Sequence, residues 1–247
     1  MPINLPGVLV SIQLLFCPRL VLPNIVVKDI RYIDFAALKA AGYRGAVFDK
    51  DNCITRPHKD TIVPEIQQAW DECRKTFGEG NVLICESVTH NTGVPVLRHK
   101  TFKPAYSCIT TIRAYFSSLQ FPIRDEELIV VGDRIFTDIV MTNRMRRWKK
   151  SRMTLTCGED TVGKEKDASK NQPQGPLSIW TTGIWQQDSR VMRWGEQKLV
   201  DVVRRWTHDP VHTLDTSGFI REILISETQP GKRNRVLAAL LAKFKTG

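Results

Sequence analysis

No stretch of this chain reaches the roughly 20 uninterrupted apolar residues that a membrane-spanning helix needs, which argues against an integral helical membrane protein. The longest apolar tract, residues 7–22 (GVLVSIQLLFCPRLVL), is broken by Pro18 and Arg19. Also missing is the early positive region of a secretory signal: the first basic residue is Arg19, so secretion finds no support. No Arg-rich organellar leader stands ahead of the tract, and composition leaves import open. The six cysteines (Cys17, Cys53, Cys73, Cys85, Cys108, Cys157) include no CxxC pair and no regular framework, which favours free thiols in a reducing compartment. There is no RNA-binding aromatic pair, zinc-finger ligand set or uninterrupted basic helix, so only net charge would argue for nucleic acid, and no such partner is expected. Internal repeats are absent as well.

What is present is a chain of 247 residues, long enough for one well-buried core with a peripheral extension. Its 36 Lys and Arg against 26 Asp and Glu give a net charge of +10, which favours polyanions, anionic bilayers or phosphorylated substrates. Read as a helix, the apolar tract puts Val8, Leu9, Ile12, Leu15 and Phe16 on one stripe, fit either to dock on the protein body or to lie flat at a membrane interface.

Past the linker PNIVVKDI, FAALKAA (35–41) reads as a short helix stopped by Gly42, and YRGAVF (43–48) as a buried strand. Residues 64–77 (PEIQQAWDECRKTF) begin with proline and carry Ile66, Ala69, Trp70 and Cys73 on one face, a helix closed by Gly78 and Gly80. NVLIC (81–85), PVL (95–97) and LIVV (128–131) read as further strands, with a helix over 105–119. Strands alternating with helices, in apolar runs without strict alternation, predict an α/β fold, a parallel sheet covered by helices, with its site at the carboxyl ends of the strands.

From Asn143 the composition changes. Arg144, Arg146, Arg147, Lys149, Lys150 and Arg152 form a basic run with Met145 and Trp148 interleaved, and a polar loop follows. Helices are predicted over 191–206 and 234–244. The expected division is an apolar helix and linker (1–30), a catalytic core (31–157), a polar loop (158–176) and a partly helical carboxyl-terminal extension (177–247).

Two acidic clusters fall at predicted strand ends. Asp49 and Asp51 flank Lys50, and in extended chain the period of two sets both carboxylates on one side, roughly 6 to 7 Å apart. Asp49 is then a candidate nucleophile towards phosphorus, and Asp51 a candidate acid and base for the leaving alkoxide and the attacking water. Such a pair can equally be a turn former. Gly132 permits a tight exit from LIVV, and Asp133 and Asp138 offer oxygen ligands suited to a hard ion such as magnesium; the bland reading caps a helix with Asp133 and pairs Asp138 with Arg134 or Arg144. Lys103, before Pro104 and a predicted helix start, could neutralise phosphoryl oxygens and Asp49; it could also be a solvent-facing lysine, and Lys100 competes for the role.

Taken together, FDKDNCIT, VLRHKTFKP and VVGDRIFTDI resemble the first, third and fourth motifs of the haloacid-dehalogenase-like phosphatases, and more narrowly the fungal mitochondrial phosphatidylglycerophosphatase family. The likeness runs from about Leu5 to Asn143. It implies Asp49 as nucleophile, Asp51 as acid/base whose backbone carbonyl also meets Mg2+, Lys103 as the phosphate-stabilising lysine, and Asp133 with Asp138 as the acids of the metal motif, on a Rossmann-like three-layer sandwich with a parallel sheet and no large cap. It further implies hydrolysis of phosphatidylglycerophosphate to phosphatidylglycerol on the route to cardiolipin, peripherally at the matrix face of the mitochondrial inner membrane. An anionic membrane surface is then a partner, and no obligate protein partner is expected.

The chain departs from that family at the second motif. A small hydroxyl residue should follow NVLIC directly, whereas Glu86 stands there, before Ser87, Val88 and Thr89; this reads as a deletion of a turn and its following helix. Loss of one phosphate donor costs roughly 3 kcal/mol in a transition state, so impaired activity is expected. The alternatives are a catalytically impaired protein that only binds anionic membranes, or a phosphatase of another phosphomonoester.

Overall fold

A computed structural model describes residues 13, 14, 16–57, 59–86, 94–98, 103–147, 175–183, 185, 190–207 and 216–222. Within these, six parallel strands form one sheet: β1 (Ile25–Val27), β2 (Gly45–Phe48), β3 (Val82–Glu86), β4 (Val96–Arg98), β5 (Leu128–Gly132) and β6 (Leu177–Thr181), in the order β1-β6-β5-β2-β3-β4. Its helices are α1 (Phe35–Ala40), α2 (Gln67–Phe77), α3 (Tyr106–Ser117), α4 (residues 140–147) and α5 (Arg190–Trp206). This is the α/β architecture expected of the sequence.

Both faces of the sheet are covered, which is why its strands are apolar throughout. Phe48, Ile84, Val131 and Ile179 pack with Phe35, Leu38, Trp70 and Phe77 of α1 and α2. Val47, Leu83, Cys85 and Val130, one residue out of phase, pack with Ile109, Ile112 and Phe116 of α3 and Met141 and Met145 of α4. A third cluster joins Leu20 and Val21 of the turn Pro18–Val21 to Ile135, Ile139, Trp180, Val200 and Val203, seating α5 beside the end of β5. Asp34 caps α1 by accepting the Ala37 N–H at 2.9 Å, and Gly42, at φ 98°, ends it as expected.

Two strands escaped the sequence. β1 lies in the expected linker and, at three residues, is too short to display a period. β6 lies in the expected carboxyl-terminal extension, where only helices are predicted, and it carries two polar residues, Ser178 and Thr181. Both are paired inside: Ser178 exchanges hydrogen bonds with Asn24, and Thr181 Oγ1 donates to Gly132 O at 3.3 Å. The sheet therefore draws on residues either side of the expected 31–157 core. The five cysteines described are free thiols, and no helix among the described residues is long and apolar enough to cross a membrane. The polar loop up to residue 174, the helix over 234–244, Cys157, and Val8, Leu9, Ile12 and Leu15 of the amino-terminal stripe lie outside the described residues.

Candidate active site

From β2 the chain runs to β3 and β4 on one side, then returns to β5 and β6 on the other, so the strand order reverses at β2 and a crevice opens beyond its carboxyl end. Asp49 stands there. Its N–H donates to Val131 O at 2.9 Å, carrying the ladder with β5 one residue past Phe48. Lys50 then goes to the interior, where its ammonium pairs with Asp60 at 3.0 Å. A turn follows in which the N–H groups of Ile54 and Thr55 both donate to Lys50 O, and Asn52 takes the left-handed conformation at φ 59°.

On the neighbouring strand, β5 ends at Gly132 and Asp133 follows directly. A π-turn, Ile135–Ile139, brings Asp138 back over the strand end. Any side chain at position 132 would collide with the Cβ and carboxyl of Asp138, so glycine is required by that close approach. Asp138 accepts from Thr137 Oγ1 at 3.2 Å and from the Arg134 N–H at 3.4 Å.

Asp49, Asp133 and Asp138 thus converge, with one ligand atom from each lying within 4.8 Å of the others. Lys103, two residues before the Ala105 cap of α3, extends its ammonium between two of them, 2.5 Å from Asp49 and 3.0 Å from Asp138. Burial alone would lower the Lys103 pKa, but the carboxylates of Asp138 and Asp49 outweigh it and hold it well above the ordinary value. Asp133 is 1% exposed. Burial, then repulsion from Asp49 and Asp138, raises its pKa to about 7 against the opposing Arg193. Burial also pushes Asp138 upward, partly countered by Lys103.

Three carboxylates this close, two of them buried, carry more negative charge than one ammonium and one guanidinium settle comfortably. One oxygen, Asp133 Oδ1, is buried without a hydrogen-bond partner among the described residues. An orphaned carboxylate oxygen beside two further acids is the donor set a hard divalent cation such as magnesium takes.

The sequence-predicted residues Asp49, Asp133, Asp138 and Lys103 are brought together. Asp51, half-buried, follows at the start of the turn, and its carboxylate is not part of the three-acid group. The blander readings fail for two residues. The Lys103 side chain is only 9% exposed rather than facing solvent, and Asp138 pairs with it, while Arg144 turns to Gln13 Oε1 and Pro104 O. Ser87, Thr89 and Lys100 lie outside the described residues.

Sequence reasoning missed Arg193. From α5 it donates to the Asp133 carboxylate and, at 3.2 Å, to Asp133 O, which also accepts from Trp180 Nε1 at 2.9 Å. Nothing local marks it: it is one of several arginines on a basic helix, and only the packing of α5 singles it out.

In chemical terms the arrangement offers an oxygen nucleophile beside a fixed ammonium and an acidic cation site, which suits transfer of a phosphoryl group. Residues 5–151, which carry Asp49, Asp51, Lys103, Asp133 and Asp138, match the family model described as mitochondrial PGP phosphatase. The phosphatidylglycerophosphate phosphatase 1 of Arabidopsis thaliana, chloroplastic and mitochondrial, is 35% identical over 58% of this chain and 44% of its own length. The mitochondrial phosphatidylglycerophosphatase of Saccharomyces cerevisiae is 35% identical over 58% of this chain and 83% of its own. A probable mitochondrial phosphatidylglycerophosphatase of Schizosaccharomyces pombe is 28% identical over 60% of this chain and 81% of its own. This chain therefore spans less than half of the plant relative and most of each yeast one. No solved structure matches it.

Proposed function

The chain belongs to the mitochondrial PGP phosphatase family, and from that premise we propose that it removes the terminal phosphate of phosphatidylglycerophosphate to leave phosphatidylglycerol, on the route to cardiolipin. The observation that carries this reading is the Lys103 ammonium bridging Asp49 and Asp138 at the ends of adjacent strands, with Asp133 alongside.

Asp49 attacks phosphorus in line, forming an aspartyl-phosphate while the bond to the glycerol oxygen breaks. Asp51 gives a proton to the departing alkoxide, then takes one from the water that cleaves the acyl phosphate, releasing inorganic phosphate and freeing Asp49. Lys103 offsets the charge on the phosphoryl oxygens. Magnesium would be held by Asp49, Asp133, Asp138 and the backbone carbonyl of Asp51, and would supply further neutralisation of those oxygens. The place of work is the matrix face of the mitochondrial inner membrane, reached peripherally and favoured by the net charge of +10.

A second reading has its own support. β3 ends at Glu86 where the resemblance expects a small hydroxyl residue, and a protein short of that donor would keep the fold and membrane affinity with little turnover. Phosphate release should therefore be measured with and without magnesium, on the lipid phosphate and on soluble phosphomonoesters. Turnover of the lipid that needs magnesium and is absent in Asp49→Asn supports the enzyme; vesicle binding without turnover supports the impaired form; preference for a soluble ester overturns the lipid assignment.

A further inference from the structure

We propose that α5 is the element that rests on the bilayer, and that the occupant of its outward face is an anionic lipid surface. The claim rests on the lipid-phosphatase reading above, because it gives that site its approach to a membrane-borne substrate.

The inward side of α5 is accounted for. Val200 and Val203 are buried against Val21, Ile135, Ile139 and Trp180, Glu196 is buried, and Arg193 holds Asp133. The outward side is not what water alone selects. Trp194, Lys198, Val202 and Trp206 recur every fourth residue and so share one side of the helix. Trp194 is 62% exposed and Trp206 85%, with Val202 and Met192 also exposed. A helix buried on one side ordinarily turns charged and polar residues outward, whereas here large apolar rings stand in solvent among Lys198, Arg204 and Arg205, with Asp201 as an exposed acid. Tryptophan and basic side chains on one face are the composition of a helix lying in the headgroup region: the rings sink to the acyl boundary and the cations meet lipid phosphates. Phe16, 81% exposed, stands just before the turn Pro18–Val21 on which α5 packs, and adds a further exposed apolar side chain near it.

Charge chooses the occupant. A second copy of this chain would bring +10 against +10 and set basic helix against basic helix, whereas an anionic bilayer complements it. Position supplies the use. Arg193, which touches Asp133, immediately precedes Trp194, so the lipid-facing side chains begin beside the acidic site, about one helix diameter of roughly 10 Å away.

The test is flotation with vesicles of phosphatidylcholine alone or mixed with phosphatidylglycerol, comparing the full chain, the double variant Trp194→Ser/Trp206→Ser, and Phe121→Ser. Phe121 is 70% exposed on the loop leading into β5, at the far end of the sheet from the site. The parent and Phe121→Ser should float with anionic vesicles, and the double variant should partition at least about tenfold less. Brominated acyl chains should quench the parent's tryptophan emission, and quenching should fall in the double variant. A Lys198→Glu/Arg205→Glu variant gives a second reading of the same face should the tryptophan changes impair folding. Undiminished binding in both variants, equal loss in Phe121→Ser, or lipid-free self-association that the tryptophan changes abolish would each overturn the proposal. Turnover does not enter the measurement: an inactive chain that still floats through α5 overturns the catalytic reading and leaves the docking helix standing.

Discussion

On one side of β2 the sheet continues into β5 and β6, whose ends hold Asp133 and Asp138, a π-turn fitted against Gly132, and an arginine delivered by α5. On the other side β3 reaches the adjacent parallel β4 through the nine residues 87–95, fewer than the dozen or so of an ordinary parallel crossover. At the amino ends of β3 and β4 lies an open groove of about 510 Å³ lined by Asp71, Arg74, Lys75, Glu79, Val82 and Val94, which contains none of Asp49, Asp133 and Asp138. The contrast teaches that the charge-handling half of the site and the half that should grip the phosphate by hydroxyl and backbone are separable. The first is built and packed in this chain, and the second is where Glu86 stands in place of the small hydroxyl residue that the resemblance leads one to expect.

The strongest way to break the comparison is Asp49→Asn. If the acidic half drives the reaction, phosphate release should fall by about 10⁴-fold, measured in single turnover. Retained turnover would move the chemistry elsewhere.

Next in size is the pH dependence of Asp133. Its pKa, raised to about 7 from 3.8, means that the folded state holds the proton more tightly than the unfolded chain. This contribution is complete below the unfolded value and is lost as pH rises through about 7, up to about 4 kcal/mol in all. Asp138 and Glu196 shift in the same direction. In EDTA, the melting temperature of the parent relative to Asp133→Asn should therefore fall between pH 4 and pH 7, and magnesium should reverse the fall. A difference that is flat with pH would remove the buried-acid account.

Restoring a turn with a serine directly after β3, and a helix before β4, should raise kcat by about 10²-fold, the roughly 3 kcal/mol of one recovered phosphate donor. No gain would mean that the short crossover already supplies it. Smallest is Gly132→Ala, which drives a methyl group into Asp138; about 1 to 3 kcal/mol of destabilisation in urea unfolding is expected, with weakened magnesium affinity. An unchanged midpoint would show that the π-turn gives way freely.

Much of the architecture was legible because the central strands announce themselves. LIVV and GAVF are apolar runs bounded by glycine and acids, and α1 and α2 carry their own start and stop residues. The acidic residues and Lys103 were legible as motifs, since each follows a strand or precedes a helix in a recognisable segment. The edge of the sheet was not. Asn24 and Ser178 satisfy one another across 154 positions of chain, and neither looks like part of a strand until the other is beside it. Arg193 was hidden for the same reason, lying beyond residues 5–151 that match the family and reaching Asp133 across 60 positions.

The place of β6 sets a timetable for the molecule's birth. Its register joins Ile25 to Ile179 on one flank and Val131 to Ile179 on the other, so β1 enters the sheet only through a segment made some 150 residues later. Growing from the ribosome, the chain can assemble β2 to β5 early while β1 waits unpaired, and β1 can join the sheet only once β6 has been made.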